Sequence, residues 1–413
     1  MVSLILPIGA LLLGTALLLL GSGLLNTLLP LRSSLEGYGD DIIGLIMSGY
    51  FLGFFAGTFL ALPLIRRVGH IRAFASCAAL LSCSALLHLF YSHPVYWFLL
   101  RILTGAVLVV LYTVTESWLN GQTSAEQRGR VFATYMAVNL GSLALAQQLL
   151  RLDSPAAFTL FVLCAMLMSV SLVPVAWTRL QQPEVAVVRR LGLMRLFRTA
   201  PVAAMGALLS GFAMGGFWGL GAVYAGRIGL DSGGVATFMS CAILGGAVFQ
   251  LPLGRYSDSR DRRKVIAWVC ASAVAAAILL AGLSYAGKWV LLAAALYGGL
   301  AFAVYPVAMA HLIDNLEPEV ILSGGSGLLF LHGVGAAVGP ALAGQLMAIL
   351  GPQALPLYFA VMQGLMAFYA ARNMQKLQGE PMAHPSHFVP MVRTTPTALE
   401  MLPEEQDERG VPG

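Results

Sequence analysis

Five positions of one apolar run, Arg101, Gly105, Leu108, Tyr112 and Glu116, fall on a single stripe at helical spacing. Two of them are charged. A charge in the middle of a bilayer costs at least ~2.5–3.5 kcal/mol, so such residues usually face a wet cavity. A carboxyl that alternates between a wet and a dry setting can load and release a proton. Glu116 is therefore the leading proton-coupling candidate, with Arg101 beside it on the stripe. The competing account is that each side chain reaches back to its nearer membrane face. Asn26, Tyr112, Asn139, Tyr305 and His332 are polar groups in five separate apolar runs. Taken singly, such a residue more often makes an interhelical hydrogen bond worth about 0.6 kcal/mol.

A third group is charged and clustered. Residues 239–264 begin as an apolar run and end in a turn from Gly254 to Asp258, followed by Arg260, Asp261, Arg262, Arg263 and Lys264. Basic residues between crossings set membrane orientation, but Asp258 adds nothing to that signal. Arg262 or Arg263 can pair with Asp314, an acid in a loop that carries no basic residue.

Other chemistries find no support. Gly282, Gly287 and Lys288 match a phosphate loop until Trp289, which replaces the required Ser or Thr. His384 and His387 are too few to argue for a metal, and no cofactor pattern appears. The five cysteines lie within apolar runs with no ligand spacing and read as small packing residues. No catalytic residue is assigned. The net charge of +5 is spread between apolar runs rather than gathered on one face, which excludes nucleic acid as a partner.

The elements that must hold these groups are membrane helices. The chain has 413 residues, 58% hydrophobic and 10% charged, where a soluble protein averages about 25% charged. Apolar runs of about 20 residues can each cross the hydrocarbon layer. The spacing predicts twelve crossings, near 5–31, 42–65, 73–91, 95–119, 130–150, 156–178, 201–226, 235–254, 265–285, 289–312, 320–349 and 354–372. With both termini inside, 19 Lys and Arg residues fall on the inner side and four on the outer, which predicts cytoplasmic termini in a plasma or bacterial inner membrane.

The halves repeat. Residues 47–72 and 239–264 both open Met-Ser, carry Leu-Gly (Leu52-Gly53, Leu244-Gly245) and contain Leu-Pro-Leu, with Met47 and Met239 192 residues apart. Gly105 and Tyr112 match Gly298 and Tyr305 at a spacing of 193. Such a duplication predicts two pseudo-symmetric six-helix bundles, 1–178 and 201–373, related by an axis along the membrane normal. A cytoplasmic linker at 179–200 and a disordered cytoplasmic tail at 374–413 complete the layout. Gly335, Gly339, Pro340 and Gly344 in crossing 11 present small faces suited to tight helix packing.

These features together resemble the major facilitator superfamily. The run Gly254-Arg255-Tyr256-Ser257-Asp258-Ser259-Arg260-Asp261-Arg262-Arg263 is similar to its Gly-x-x-x-Asp-Arg-x-Gly-Arg-Arg signature, with Asp261 in place of the Gly. Arg101 and Gly105 resemble the family's crossing-4 motif. Leu25 to Pro30, Glu116-Ser117 and Tyr305-Pro306 together resemble its YcaD-like branch. The resemblance implies that crossings 1, 4, 5, 10 and 11 line the cavity, which makes Asn26, Tyr112, Asn139, Tyr305 and His332 the substrate-cavity candidates. It also implies that Asp258 approaches the start of crossing 11, at Ser323, Gly324 and Gly325, to lock one bundle at the inner face. The implied function is secondary active transport of a small solute by alternating access, driven by protons, in a monomer without covalent chemistry. The alternatives are a membrane enzyme using Asp314, Glu317 and His311 on a lipid-linked substrate, or a sensor with a transporter fold.

Overall fold

The computed structural model describes residues 2–177, 192–317 and 320–376, together with Phe388, Met391 and Thr395. All regular structure among them is helical: α1 (Val2–Leu35), α2 (Asp40–Val68), α3 (His70–Leu87), α4 (Pro94–Gly121), α5 (Ala125–Gln148), α6 (Thr159–Val170), α7 (Leu172–Ala176), α8 (Leu193–Thr199), α9 (Pro201–Arg227), α10 (Ser232–Asp258), α11 (Arg262–Gly282), α12 (Trp289–Ile313), α13 (Ile321–Leu350) and α14 (Ala354–Lys376). Eleven stretches are long and apolar enough to cross a membrane, with α6 and α7 counted as one. The remaining predicted crossing is α5, long enough at 24 residues but less apolar because it carries Arg128, Arg130, Asn139, Gln147 and Gln148. Counted with it, twelve helical crossings build the all-α membrane fold.

Helix ends follow local chemistry. Asp40 and Asp41 sit in the first turn of α2 and Arg66 and Arg67 in its last, each favoured by the helix dipole. Gly69, at φ 82°, turns the chain from α2 into α3. Asp231 caps α10 by accepting from the Gly234 N–H, and Asp261 caps α11 by accepting from the Arg263 N–H. The sixth crossing breaks at Ser171, where Pro174 has no N–H to offer the preceding turn.

Three boundaries differ from the sequence reading. Helix α10 continues through Gly254 to Asp258, so those residues form its last turns rather than a turn after it. The linker holds the short helix α8, which carries Arg195 and Arg198; the rest of it, 179–191, lies outside the described residues. The expectation of a disordered tail fails at Phe388, Met391 and Thr395, because Met391 and Thr395 are buried and Phe388 is packed against the second half. Residues 377–387 and the rest of the tail lie outside the described residues.

The repeat seen in sequence is a repeat in packing. In the first half a Cβ on Gly53 would strike the Ile102 carbonyl, and one on Gly105 would strike the Tyr50 carbonyl, so α2 and α4 meet backbone to backbone. In the second half Gly245 meets the Ala295 carbonyl and Gly298 the Ala242 carbonyl, which joins α10 to α12 in the same way. Close approach of this kind lets helices associate in lipid, where apolar burial offers no drive. Across the halves, α2 packs on α13 and α5 on α10, the same pairing exchanged by the repeat. Exposed Trp268, Ile349 and Phe368 belong to the apolar outer surface.

Replacing Gly298 with Val forces α12 off α10. The overpacking is expected to cost about 1–3 kcal/mol. Thermal unfolding of the purified protein should show a lower midpoint than wild type, while Gly282→Val, with open space around its Cβ, should shift it far less.

Candidate functional site

One end of the bundle is sealed. Asp40, at the start of α2, accepts from Arg227 Nη2 at 3.0 Å and Nε at 3.3 Å, at the end of α9. Arg151, just beyond α5, donates to the Gly233 carbonyl at 3.0 Å and to Thr237 Oγ1 at 2.6 Å on α10. Gln148 donates to Ser240 Oγ at 2.6 Å, and Ser240 donates back to the Ala144 carbonyl at 2.8 Å. Gly44 of α2 faces the Pro340 carbonyl of α13, and Gly344 faces the Asp40 carbonyl, so the backbones of opposite halves touch. Gly335 and Gly339 meet α9 in the same fashion. The Gly-rich face of α13 is thus a packing face, held between α9 and α2.

Near that end, Arg101 is 0% exposed. Its Nη2 donates to Asn26 Oδ1 at 2.7 Å, and its guanidinium lies 4.6 Å from the Tyr50 ring centroid. Ion–dipole and cation–π contacts therefore compensate the buried charge, and the side chain does not snorkel. Glu116 is also 0% exposed. It accepts from Tyr135 Oη at 3.1 Å, from the Thr395 N–H at 3.1 Å, and from the Thr395 hydroxyl. Arg101 and Glu116 share a helix but are about 22 Å apart along its axis, from a rise of about 1.5 Å over their separation. They form two sites rather than one.

In the second half, Tyr305 of α12 and His332 of α13 bring their rings to 4.6 Å between centroids. His332 Nδ1 lies 3.1 Å from Ser210 Oγ and 3.3 Å from the Ala207 carbonyl, both on α9. Both rings are half-buried. Tyr112 is buried beside Phe54, 6.1 Å between ring centroids. Asn139 turns its amide back to the Tyr135 carbonyl at 2.8 Å, which steadies the backbone beneath the Glu116 partner.

The end opposite the seal carries the charged cluster. Arg262 donates to Asp314 Oδ2 at 2.5 Å, to Asp258 Oδ1 at 3.1 Å and to Ser257 Oγ at 3.2 Å. Its side chain is 2% exposed, so its charge is matched by two carboxylates with little water. Arg263 pairs with Asp261 at 3.1 Å instead. Burial pushes the Asp261 carboxyl up, but hydrogen bonds from the Arg263 side chain and N–H outweigh it and leave the group below its ordinary range. The family resemblance implies an approach of Asp258 to the start of α13. Among the described residues its hydrogen bonds are to Arg262 and to the Phe388 N–H, the latter at 2.9 Å, and neither partner is on α13. The N–H on Asp258 comes from the tail, at Phe388. Gly254 takes the Phe388 ring, which supplies the three nearest neighbours of any Cβ added there.

Sequence reasoning missed Tyr135, Tyr50, the Asp40–Arg227 pair and Thr395. Tyr50 lay in the repeated 47–72 segment without a partner to give it meaning. Asp40 and Arg227 mark helix ends, but nothing in their spacing joins them.

The sequence profile of the Major Facilitator Superfamily matches residues 11–330 and, in a second alignment, 203–387. The chain belongs to this superfamily. Among curated relatives, an uncharacterized MFS-type transporter called YcaD from Escherichia fergusonii is 27% identical over 386 residues, covering 92% of this chain and 98% of that protein. Its counterpart from Escherichia coli is 29% identical over 353 residues, covering 83% and 89%. Among solved structures, a point mutant of the nucleoside transporter NupG aligns with a TM-score of 0.74 at 15% identity, covering 88% of this chain and 98% of that one. A bacterial homologue of the human lysosomal transporter Spinster aligns at 0.70 and 14% identity, covering 90% and 98%. These likenesses establish the superfamily fold, and the relatives agree with the YcaD-like resemblance. The protein is therefore a multi-pass membrane protein of a transporter superfamily, built from the architecture described above.

Arg262→Ala would leave Asp314 and Asp258 without their shared cation. Breaking a buried pair in this way costs about 3–5 kcal/mol. Thermal unfolding should show a marked drop for Arg262→Ala and a smaller one for Arg263→Ala, whose partner is more exposed.

Proposed function

We propose that this superfamily transporter moves a small neutral or amphiphilic solute by alternating access, coupled to protons through Glu116. The observation that carries the reading is a carboxylate wholly buried in a membrane-crossing helix and hydrogen-bonded by Tyr135, in a protein sealed at its other end. A carboxylate buried in this way is sensitive to any change in its surroundings. Parting or closing the halves changes those surroundings, and a proton bound on one side can then leave on the other. The charged end, from Asp258 to Asp314, is the gate on the cytoplasmic side, and both termini lie there, as the Lys and Arg bias supports. Tyr305 and His332, both half-buried, face the path between the bundles, and Asn26, Tyr112 and Asn139 are the buried polar groups that join it as the bundles part. Arg101, held by Asn26 and Tyr50, fixes the geometry of α4 against α1 and α2 while a proton moves at Glu116. The membrane is the plasma or bacterial inner membrane, and the curated relatives, named as transporters, favour transport over enzymatic turnover.

Glu116→Gln keeps the shape of the side chain and removes the proton. In proteoliposomes loaded with a substrate found by thermal-shift screening, the variant should lose the pH dependence of net flux while counterflow exchange persists. Proton coupling unchanged in the variant would remove Glu116 from the mechanism. Asp40→Asn should loosen the sealed end, and maleimide labelling of a cysteine introduced by Ser48→Cys in a chain without its native cysteines should quicken. Labelling at the unaltered rate would mean that the Arg227 pair does not hold that end shut.

A further inference from the structure

The two carboxylates singled out above, Asp258 in the second half and Glu116 in the first, are engaged by one short stretch of the chain's own tail. The Phe388 N–H donates to Asp258 at 2.9 Å, and the Thr395 N–H donates to Glu116 at 3.1 Å. Between these anchors, Met391 is 4% exposed within the main apolar core. Phe388 packs against the smaller apolar cluster of the second half, which includes Val265 and Val304, and its ring rests on Gly254. Thr395 is 1% exposed, and its hydroxyl adds a second donor to the same Glu116 carboxylate. The seat is made for this occupant in two respects. A residue larger than Gly at 254 would collide with the ring, and each carboxylate receives a backbone N–H that no side-chain change removes. Helix α14 ends at Lys376, and the segment from there to Phe388 can extend about 40 Å at about 3.4 Å per residue, ample reach for the seat.

We propose that the tail, through Phe388, Met391 and Thr395, acts as a strap that docks at the end opposite the seal, joins both bundles and covers Glu116. The occupant is this chain's own C-terminal segment, recognised by an apolar seat at Gly254 and by two carboxylates that each take an N–H. A solute or proton reaching Glu116 from that side must first displace Thr395. Closure of the bundles at that end requires the strap to leave. The inference goes beyond the transport reading and stands or falls on docking alone, so its test needs no substrate.

The full-length protein is purified with its five native cysteines replaced and a single reporter introduced by Met391→Cys. Its maleimide labelling is compared with that of the same chain carrying Gly254→Ala, a change that favours the helix while filling the Phe388 seat. Opening of the docked segment should make labelling about tenfold faster in the Gly254→Ala chain. Phe388→Asp, placed on the tail and outside the bundle, gives the same comparison should Gly254→Ala fold poorly. A second measurement follows modification of Glu116 by dicyclohexylcarbodiimide, read by peptide mass spectrometry. Phe388→Asp should speed it about tenfold over the otherwise unaltered full chain, as a local opening would. Equal labelling at position 391 with and without the seat overturns the docking. Equal modification of Glu116 overturns its role as a cover.

Discussion

Backbone-to-backbone contact between helices is the constraint on which the rest of this structure depends. In lipid, apolar side chains gain nothing by leaving the tails for one another, so association rests on close packing and interhelical polar contacts. Gly53 and Gly105 bring α2 onto α4, and Gly245 and Gly298 bring α10 onto α12. Gly211 and Gly335 set α9 against α13, and Gly44 and Gly344 set α13 against α2 across the halves. Each contact places a carbonyl where a side chain would otherwise stand. The bundles are therefore stiff pairs of helices, and any motion between them has to be carried by the few surfaces where opposite halves meet.

Those surfaces differ in chemistry at the two ends. Among the described residues, the halves at the sealed end are joined by one ion pair and by hydrogen bonds from the Arg151 guanidinium and the Gln148 amide to carbonyl and hydroxyl oxygens, arranged around touching glycine backbones. The Arg227 side chain there is substantially exposed, so water screens the pair and it adds little stability. At the other end Arg262 is buried between two acids of its own half, which stiffens the second bundle internally. A seal built from modest polar contacts can open without stranding a charge, whereas the internal cluster can travel as a unit.

Two wholly buried charges lie within the first bundle. Arg101 and Glu116 sit on one helix, and each is compensated differently: the cation by an amide oxygen and an aromatic face, the anion by a phenol and by the tail. A carboxylate whose donors come in part from a separate segment can change its surroundings when that segment moves. The cation, held by α1 and α2 through Asn26 and Tyr50, has no such freedom.

Much of this was determined by local sequence. Apolar length and the Lys and Arg placement defined the crossings, because a helix in hydrocarbon must satisfy its own backbone and keep charge out. The 192- and 193-residue repeats paired α2 with α10 and α4 with α12, since helices descended from one pattern keep the same contact glycines. The Arg262–Asp314 pairing was open between two arginines from composition alone; the choice came from the register of α11, where Arg263 folds back on the Asp261 cap. Tertiary structure alone decided that Glu116 meets Tyr135, that Asp40 meets Arg227, and that Asp258 takes an N–H from Phe388 rather than from α13. These partners come from different helices or from a distant tail, and no periodicity within one segment encodes which remote donor will arrive beside it.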